Sequence, residues 1–168
     1  MTQFSIILCV FALSAISLWA TDNYEYGPTE YVTITDGISP DGKYAITAHG
    51  EGEYGYDHFH LFLTDARTGK KIGPLEEIHE TLDTGAASFC TLWSKDSEKV
   101  SIFYRISRQE PIQVISYRIR SNRAFLIKGP SNVETDYAWY WSQHCSYAHQ
   151  KGKTFGKPLP KAAPEDSP

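Results

Sequence analysis

The chain has 168 residues, 41% of them hydrophobic, enough for one globular core and too many for an intrinsically disordered chain. Its 16 basic residues face 20 acidic ones, a net charge of −4, which is no footprint for a nucleic-acid partner, since that wants a basic stripe. Three cysteines are too few for a miniprotein held together by disulfides.

Residues 4–20 read FSIILCVFALSAISLWA, and residues 1–20 carry no Asp, Glu, Lys or Arg. The run is short for a membrane span, which needs about 20 apolar residues. It ends on the small residue Ala20 before the polar Thr21-Asp22-Asn23. That pattern predicts a signal peptide cleaved after Ala20 and a secreted or periplasmic mature chain, not membrane-spanning. The mature chain keeps only Cys90 and Cys145. In an oxidising compartment they are a natural pair, predicted here as a disulfide; two separate buried thiols are the alternative.

After an N-terminal extension over 21–30, strands follow one another. Residues 31–35 are rich in β-branched side chains and end at Asp36-Gly37, a strand and its turn. Ser39-Pro40-Asp41-Gly42 is a second turn, because Pro presets φ and Gly admits φ > 0. Residues 43–48 form the next strand, and 50–56 (GEGEYGY) a glycine-rich loop. Residues 58–64 (HFHLFLT) place Phe59, Leu61 and Leu63 on one face. A turn at 67–70 leads to a short strand over 71–75. A second set comprises strands at 88–93, 100–106, 112–119 and 124–127. In it Val100, Ile102, Tyr104 and Ile106 give the clearest period-2 signal in the chain.

The period changes after Gly129-Pro130. Val133, Tyr137, Trp141, Cys145 and Ala148 recur nearly every four residues, and Ser131 with Glu134 reads as a capping box. These predict a helix over about 132–151. The Pro-rich residues 153–168 are expected to be a disordered tail. The predicted fold is therefore mainly β, two four-stranded antiparallel sheets with one C-terminal helix, in a single domain over 31–152.

The two strand sets repeat. Residues 39–46 (SPDGKYAI) lie against 94–102 (SKDSEKVSI), with one extra residue in the second copy, and Thr68-Gly69 lies against Ser121-Asn122. Self-similarity at such a spacing points to repeat architecture. Ser39-Pro40-Asp41-Gly42-Lys43, the later Asp65-Ala66-Arg67-Thr68-Gly69-Lys70 and Trp93-Ser94-Lys95-Asp96 resemble the blade turns of TolB-like and WD-repeat-like β-propellers. The resemblance spans about residues 31–128 and implies blade-like sheets. A ring needs at least about four blades, and this chain has room for two. They pack as a sandwich, or several chains join into a ring. No family site residues carry over, because a propeller site lies at a channel that one such chain cannot form.

Candidate chemistry is sparse. His58 and His60 share a strand face and could hold one metal, with His49, Glu51, Glu53 or Asp57 as a third ligand. A half-exposed strand face is the competing reading. Glu76, His79 and Glu80 would cluster only if 75–82 were a short helix. His144 and His149 diverge on a helix. No nucleophile, zinc-protease, dithiol or phosphate-loop motif occurs. Tyrosine is abundant, with 11 residues. Tyr54, Tyr56, Phe59 and Trp139 are the candidate ligand-binding aromatics, since exposed aromatics beside acidic loops mark protein or glycan contacts.

Three functions follow. The first is an exported, non-enzymatic binding module with a protein or glycan partner and no cofactor. The second is a metal-dependent enzyme or metal-binding protein using His58 and His60. The third is one subunit of a propeller-like oligomer.

Overall fold

The computed structural model describes residues 23–78, 80–133 and 153–157. Among them are nine strands: β1 (Tyr31–Ile38), β2 (Tyr44–Glu51), β3 (Asp57–Asp65), β4 (Lys71–Pro74), β5 (Cys90–Trp93), β6 (Lys99–Tyr104), β7 (Gln113–Arg120), β8 (Arg123–Asn132) and β9 (Thr154–Phe155). They form one curled mixed sheet, a half-barrel, in the order β4-β3-β2-β1-β5-β6-β7-β8. The predicted β class stands. Each set of four, β1–β4 and β5–β8, is an antiparallel meander. The two join where β1 runs parallel to β5 at Thr35 and Cys90.

The curl brings one face of each meander into a common core. Ile34, Ile46, Ala48, Leu61 and Leu63 come from the first, and Val100, Ile102, Tyr104, Ile115, Tyr117 and Ile119 from the second. Leu75, Ile78 and Phe89, from the connection between the meanders, lie in the same core. Phe89 stacks on Phe59 at 5.6 Å and on Tyr104 at 6.4 Å between ring centres, so it bridges the two sets of strands.

The repeated turns share their hydrogen bonds. Ser39 Oγ donates to Asp41 Oδ1 (2.7 Å) and accepts from Tyr44 N–H (2.9 Å), while Asp41 Oδ1 accepts from Lys43 N–H (3.1 Å). Ser94 Oγ donates to Asp96 Oδ1 (2.5 Å) and accepts from Lys99 N–H (2.9 Å), while Asp96 Oδ1 accepts from Glu98 N–H (3.0 Å). The turns match residue for residue, so the extra residue of the second copy falls beyond the turn. The other matched turns differ in kind. Asp65 Oδ1 accepts from the N–H of Arg67 and Thr68 in a wide turn. Ser121 and Asn122 both have positive φ between the paired Arg120 and Arg123, the two-residue hairpin geometry.

The C-terminal expectations need correction. No α-helix occurs among the described residues, and nearly all of the predicted one lies outside them. Ser131 and Asn132, its expected cap and first residue, belong to β8, where Val114 faces Ser131 and Gln113 faces Asn132. Pairing with β7 outweighs the local capping signal. Residues 134–152, with Trp139, Trp141, Cys145, His144 and His149, lie outside the described residues. The expected disordered tail is also partly wrong. Thr154 and Phe155 pair antiparallel with Val32 and Tyr31. Lys153 O accepts from Thr33 N–H and Oγ1, and Lys153 Nζ donates to Ala66 O (2.6 Å). β9 thus covers an edge of β1 that would otherwise offer unpaired backbone groups.

Candidate functional site

The site grows from the glycine loop between β2 and β3. Its close approaches explain its composition. A Cβ on Gly50 would lie 2.0 Å from Gly55 O, and one on Gly52 2.1 Å from Asp57 Oδ2. Tyr54 and His58 themselves sit at positive φ, conformations that persist only where neighbours impose them. Those neighbours belong to the connection over 80–84. Thr84 Oγ1 donates to Tyr54 O (2.6 Å) and accepts from Tyr24 N–H (3.1 Å); Tyr26 Oη donates to Thr84 O (2.5 Å). Tyr56 Oη donates to Asn23 Oδ1 (2.9 Å) and Leu82 O (3.3 Å). The connection is held in turn by Arg105, whose Nη2 lies 2.7 Å from Asp83 Oδ2, and whose carbonyl accepts from Leu82 N–H. The loop is fixed, yet Tyr54 and Tyr56 remain 49% and 48% exposed.

Two cavities adjoin this loop and share His58 and His60. One, about 360 Å³, lies among Tyr56, Phe59, Glu80, Thr81 and Thr84. The other, about 340 Å³, lies on the outward face of β2 and β3 and includes Tyr31, His49, Glu51, Phe62 and Lys71. His49 and His60 are direct partners across the β2–β3 ladder. His49 Nδ1 is 2.7 Å from Glu30 O, and its ring stacks on Tyr31 at 4.6 Å. His60 Nδ1 is shut from solvent with no hydrogen-bond partner. The tautomer with the proton on Nε2 is the cheaper one, since it leaves no buried N–H unpaired. Lys71 Nζ lies 4.7 Å from the centre of the Phe62 ring, within cation–π range.

The charge is uneven. Glu51 and Asp57 are partners across the β2–β3 ladder, a like-charge pair that is destabilising. Glu53 and Glu80 are exposed nearby. Carboxylates therefore rim the loop, and they accept hydrogen bonds from hydroxyls or basic groups.

Of the predicted site residues, Tyr54, Tyr56, His58 and His60 meet at this loop. Phe59 lines the first cavity, but its ring is partly buried against the core and stacked on Phe89. Trp139 lies outside the described residues. Glu76 and Glu77 form a turn, not the start of a helix, and His79 lies outside the described residues. Among the described residues no three of His, Cys, Asp or Glu are placed to hold a metal. Sequence reasoning missed Thr84, Asn23 and Arg105, which position the loop from distant segments; no local pattern marks them.

Cys90 is fully buried. Leu92 is 56% exposed, whereas Cys90 packs with Phe103 and Ile112, and Val114 and Val133 lie against them. This is a satellite of the main core.

No family model, curated protein or solved structure matches this chain. The site must be read from its own geometry.

Proposed function

We propose that this chain is an exported, non-enzymatic binding module that takes a glycan or protein partner at the cleft around His58 and His60. The observation that carries the reading is the pair of exposed rings, Tyr54 and Tyr56, on a loop already locked by Gly50, Gly52 and Thr84. A locked loop loses little conformational freedom on binding, which favours affinity. Aromatic faces stack on sugar rings or apolar side chains, and the surrounding carboxylates and imidazoles supply hydrogen bonds. Export rests on the uncharged apolar run ending at Ala20.

The test is binding to a glycan array and to the exported-protein fraction, with Tyr54→Ser/Tyr56→Ser as the paired control. Retention by the wild type and loss by the variant, at unchanged melting temperature, is expected. Equal retention by both proteins overturns the reading.

The same reading includes a Cys90–Cys145 disulfide. What supports it is that Val133, twelve residues before Cys145, packs beside Cys90. Closing the chain from 90 to 145 would stabilise it by about 4 kcal/mol in the chain-entropy model. Non-reducing peptide mass spectrometry should find the linked pair; two alkylatable thiols in the exported protein exclude it.

A second reading, part of a multi-chain propeller, draws support from β1 and β5. These are the first strands of the two repeats, and they lie side by side and parallel. A monomeric mass by sedimentation removes that reading.

A further inference from the structure

The two ends of the sheet differ. β4 has four residues and stops at Pro74. β8 has ten and, among the described residues, pairs only with β7; β4 comes near it without sharing a ladder. Long unpaired edges are templates for another strand. On this one Phe125, Leu126 and Ile127 are 50%, 44% and 47% exposed. Beside them a cavity of about 260 Å³ has Arg118 and Arg120 in its wall. The surroundings are basic on an otherwise acidic chain: residues 111–133 contain no Asp or Glu. Among the described residues no carboxylate pairs with Arg118, Arg120, Arg123 or Lys128.

We propose that the β8 edge accepts an extended, acidic segment of a partner protein as an added strand, with one of its carboxylates in the Arg118–Arg120 cavity. In this mode the backbone ladder supplies affinity, and a pocket beside the edge supplies specificity. Guanidinium groups suit the pocket, because their planar fork matches a carboxylate. A second copy fits less well. Antiparallel pairing of β8 with itself, centred between Phe125 and Leu126, sets Arg123 opposite Lys128, and facing like charges destabilise a sheet. β4 is short and begins with Lys71. The acidic loop near Glu51 and Glu53 is wound into a single 3-10 turn and offers no extended edge. Pro130 lacks a backbone N–H to donate, which limits the usable edge to the stretch before it.

The experiment uses the mature full-length chain and two blocked synthetic peptides of about nine residues, the length of such a strand. One alternates Glu with Val, the other Lys with Val. The Glu peptide should bind, slow amide exchange over 123–128, and weaken as salt rises. The Lys peptide should bind about tenfold or more weakly, as expected for reversed charge complementarity. Arg118→Glu/Arg120→Glu should cost the Glu peptide about tenfold with the melting temperature preserved. Should that variant unfold, Phe125→Ser, at a half-exposed position, replaces it and should also weaken binding. Four outcomes overturn the proposal: no binding of the Glu peptide, equal binding of both peptides, protection outside 123–128, or self-association that protects 123–128 without peptide.

Discussion

The two meanders share strand count, pairing sense and a turn with the same hydrogen bonds, yet they are covered differently. In the first, β2 is buried on both faces. Ile46 and Ala48 point to the common core; Ala45, Thr47 and His49 are also buried on the other side, where Thr47 and Thr64 exchange a hydrogen bond of 2.8 Å. In the second, β7 alternates between buried and partly buried residues, and β8 is largely open. The covered meander carries the two cavities that share His58 and His60, and the locked tyrosine loop. The open one carries the basic edge. Equal topology thus leaves function to whatever covers each sheet.

The strongest break in that comparison comes at the ring joining the two halves. Phe89→Ala removes the aromatic that touches Phe59 and Tyr104 together. A buried Phe truncated to Ala costs about 3–5 kcal/mol. Urea unfolding should show one cooperative transition moved to lower denaturant, because the two meanders share one core. Two separated transitions would mean that they unfold independently.

That shared core also explains what the sequence displayed. Val100, Ile102 and Tyr104 alternate legibly because one face of β6 takes most of the apolar side chains. The β2 stretch Ala45–Ile46–Thr47–Ala48 shows no such contrast, since small residues are buried on both sides. Turn chemistry was readable at Ser39 and Ser94, where short side chains bond their own backbone. β9 was not readable, because two residues in a Pro-rich segment pair only through a distant edge. At the site, the glycine loop and its tyrosines were visible. The His49–His60 pairing and the hold of Thr84 and Arg105 were not, because register and long-range bonds leave no local pattern.

A smaller effect separates the loop's support from the loop itself. Arg105→Leu removes the guanidinium that pairs with the Asp83 carboxylate, whose side chain is 2% exposed, and losing one partner of a buried pair costs about 3 kcal/mol or more. The exposed Tyr56, tied to Leu82 O, should then gain mobility, read as faster amide exchange over 81–84. Stability lost without that local change would detach the ion pair from the site.

The β9 cover can be weighed by two glycines. Gly42 and Gly69 both have φ near +70°, but a Cβ on Gly42 meets nothing within 4 Å, whereas one on Gly69 meets Phe155 Cδ1 at 2.5 Å. Each Gly→Ala change pays a left-handed backbone cost of about 1–2 kcal/mol. Gly69→Ala should cost about 1 kcal/mol more, the lower end for overpacking. In a Phe155→Ala background most of the excess should go, because only the residue-155 Cβ, 3.0 Å away, remains in the way. If it persists in full, the Phe155 ring is not what Gly69 accommodates.

The smallest expected effect asks whether the shared turn behaves alike in the covered and the open meander. Both turn carboxylates lie below the ordinary Asp range. At Asp41 slight burial pushes upward, but the hydrogen bonds from Ser39 and Lys43 outweigh it. At Asp96 the Ser94 hydroxyl and then the Glu98 N–H hold the carboxylate down. An acid with a folded pKa below its unfolded one stabilises the fold at pH above the unfolded value, and that stability is lost as pH falls through the folded value. The urea midpoint should therefore drop on acidification below the ordinary carboxylate range. Asp41→Asn and Asp96→Asn should each flatten that acid limb, and by similar amounts, because the bonds are the same in kind. A much larger flattening at Asp41 would assign the effect to features the first turn has alone, the ion pair with Lys43 and the Ser97 Oγ that accepts from the Asp41 N–H, and not to the turn geometry both copies share.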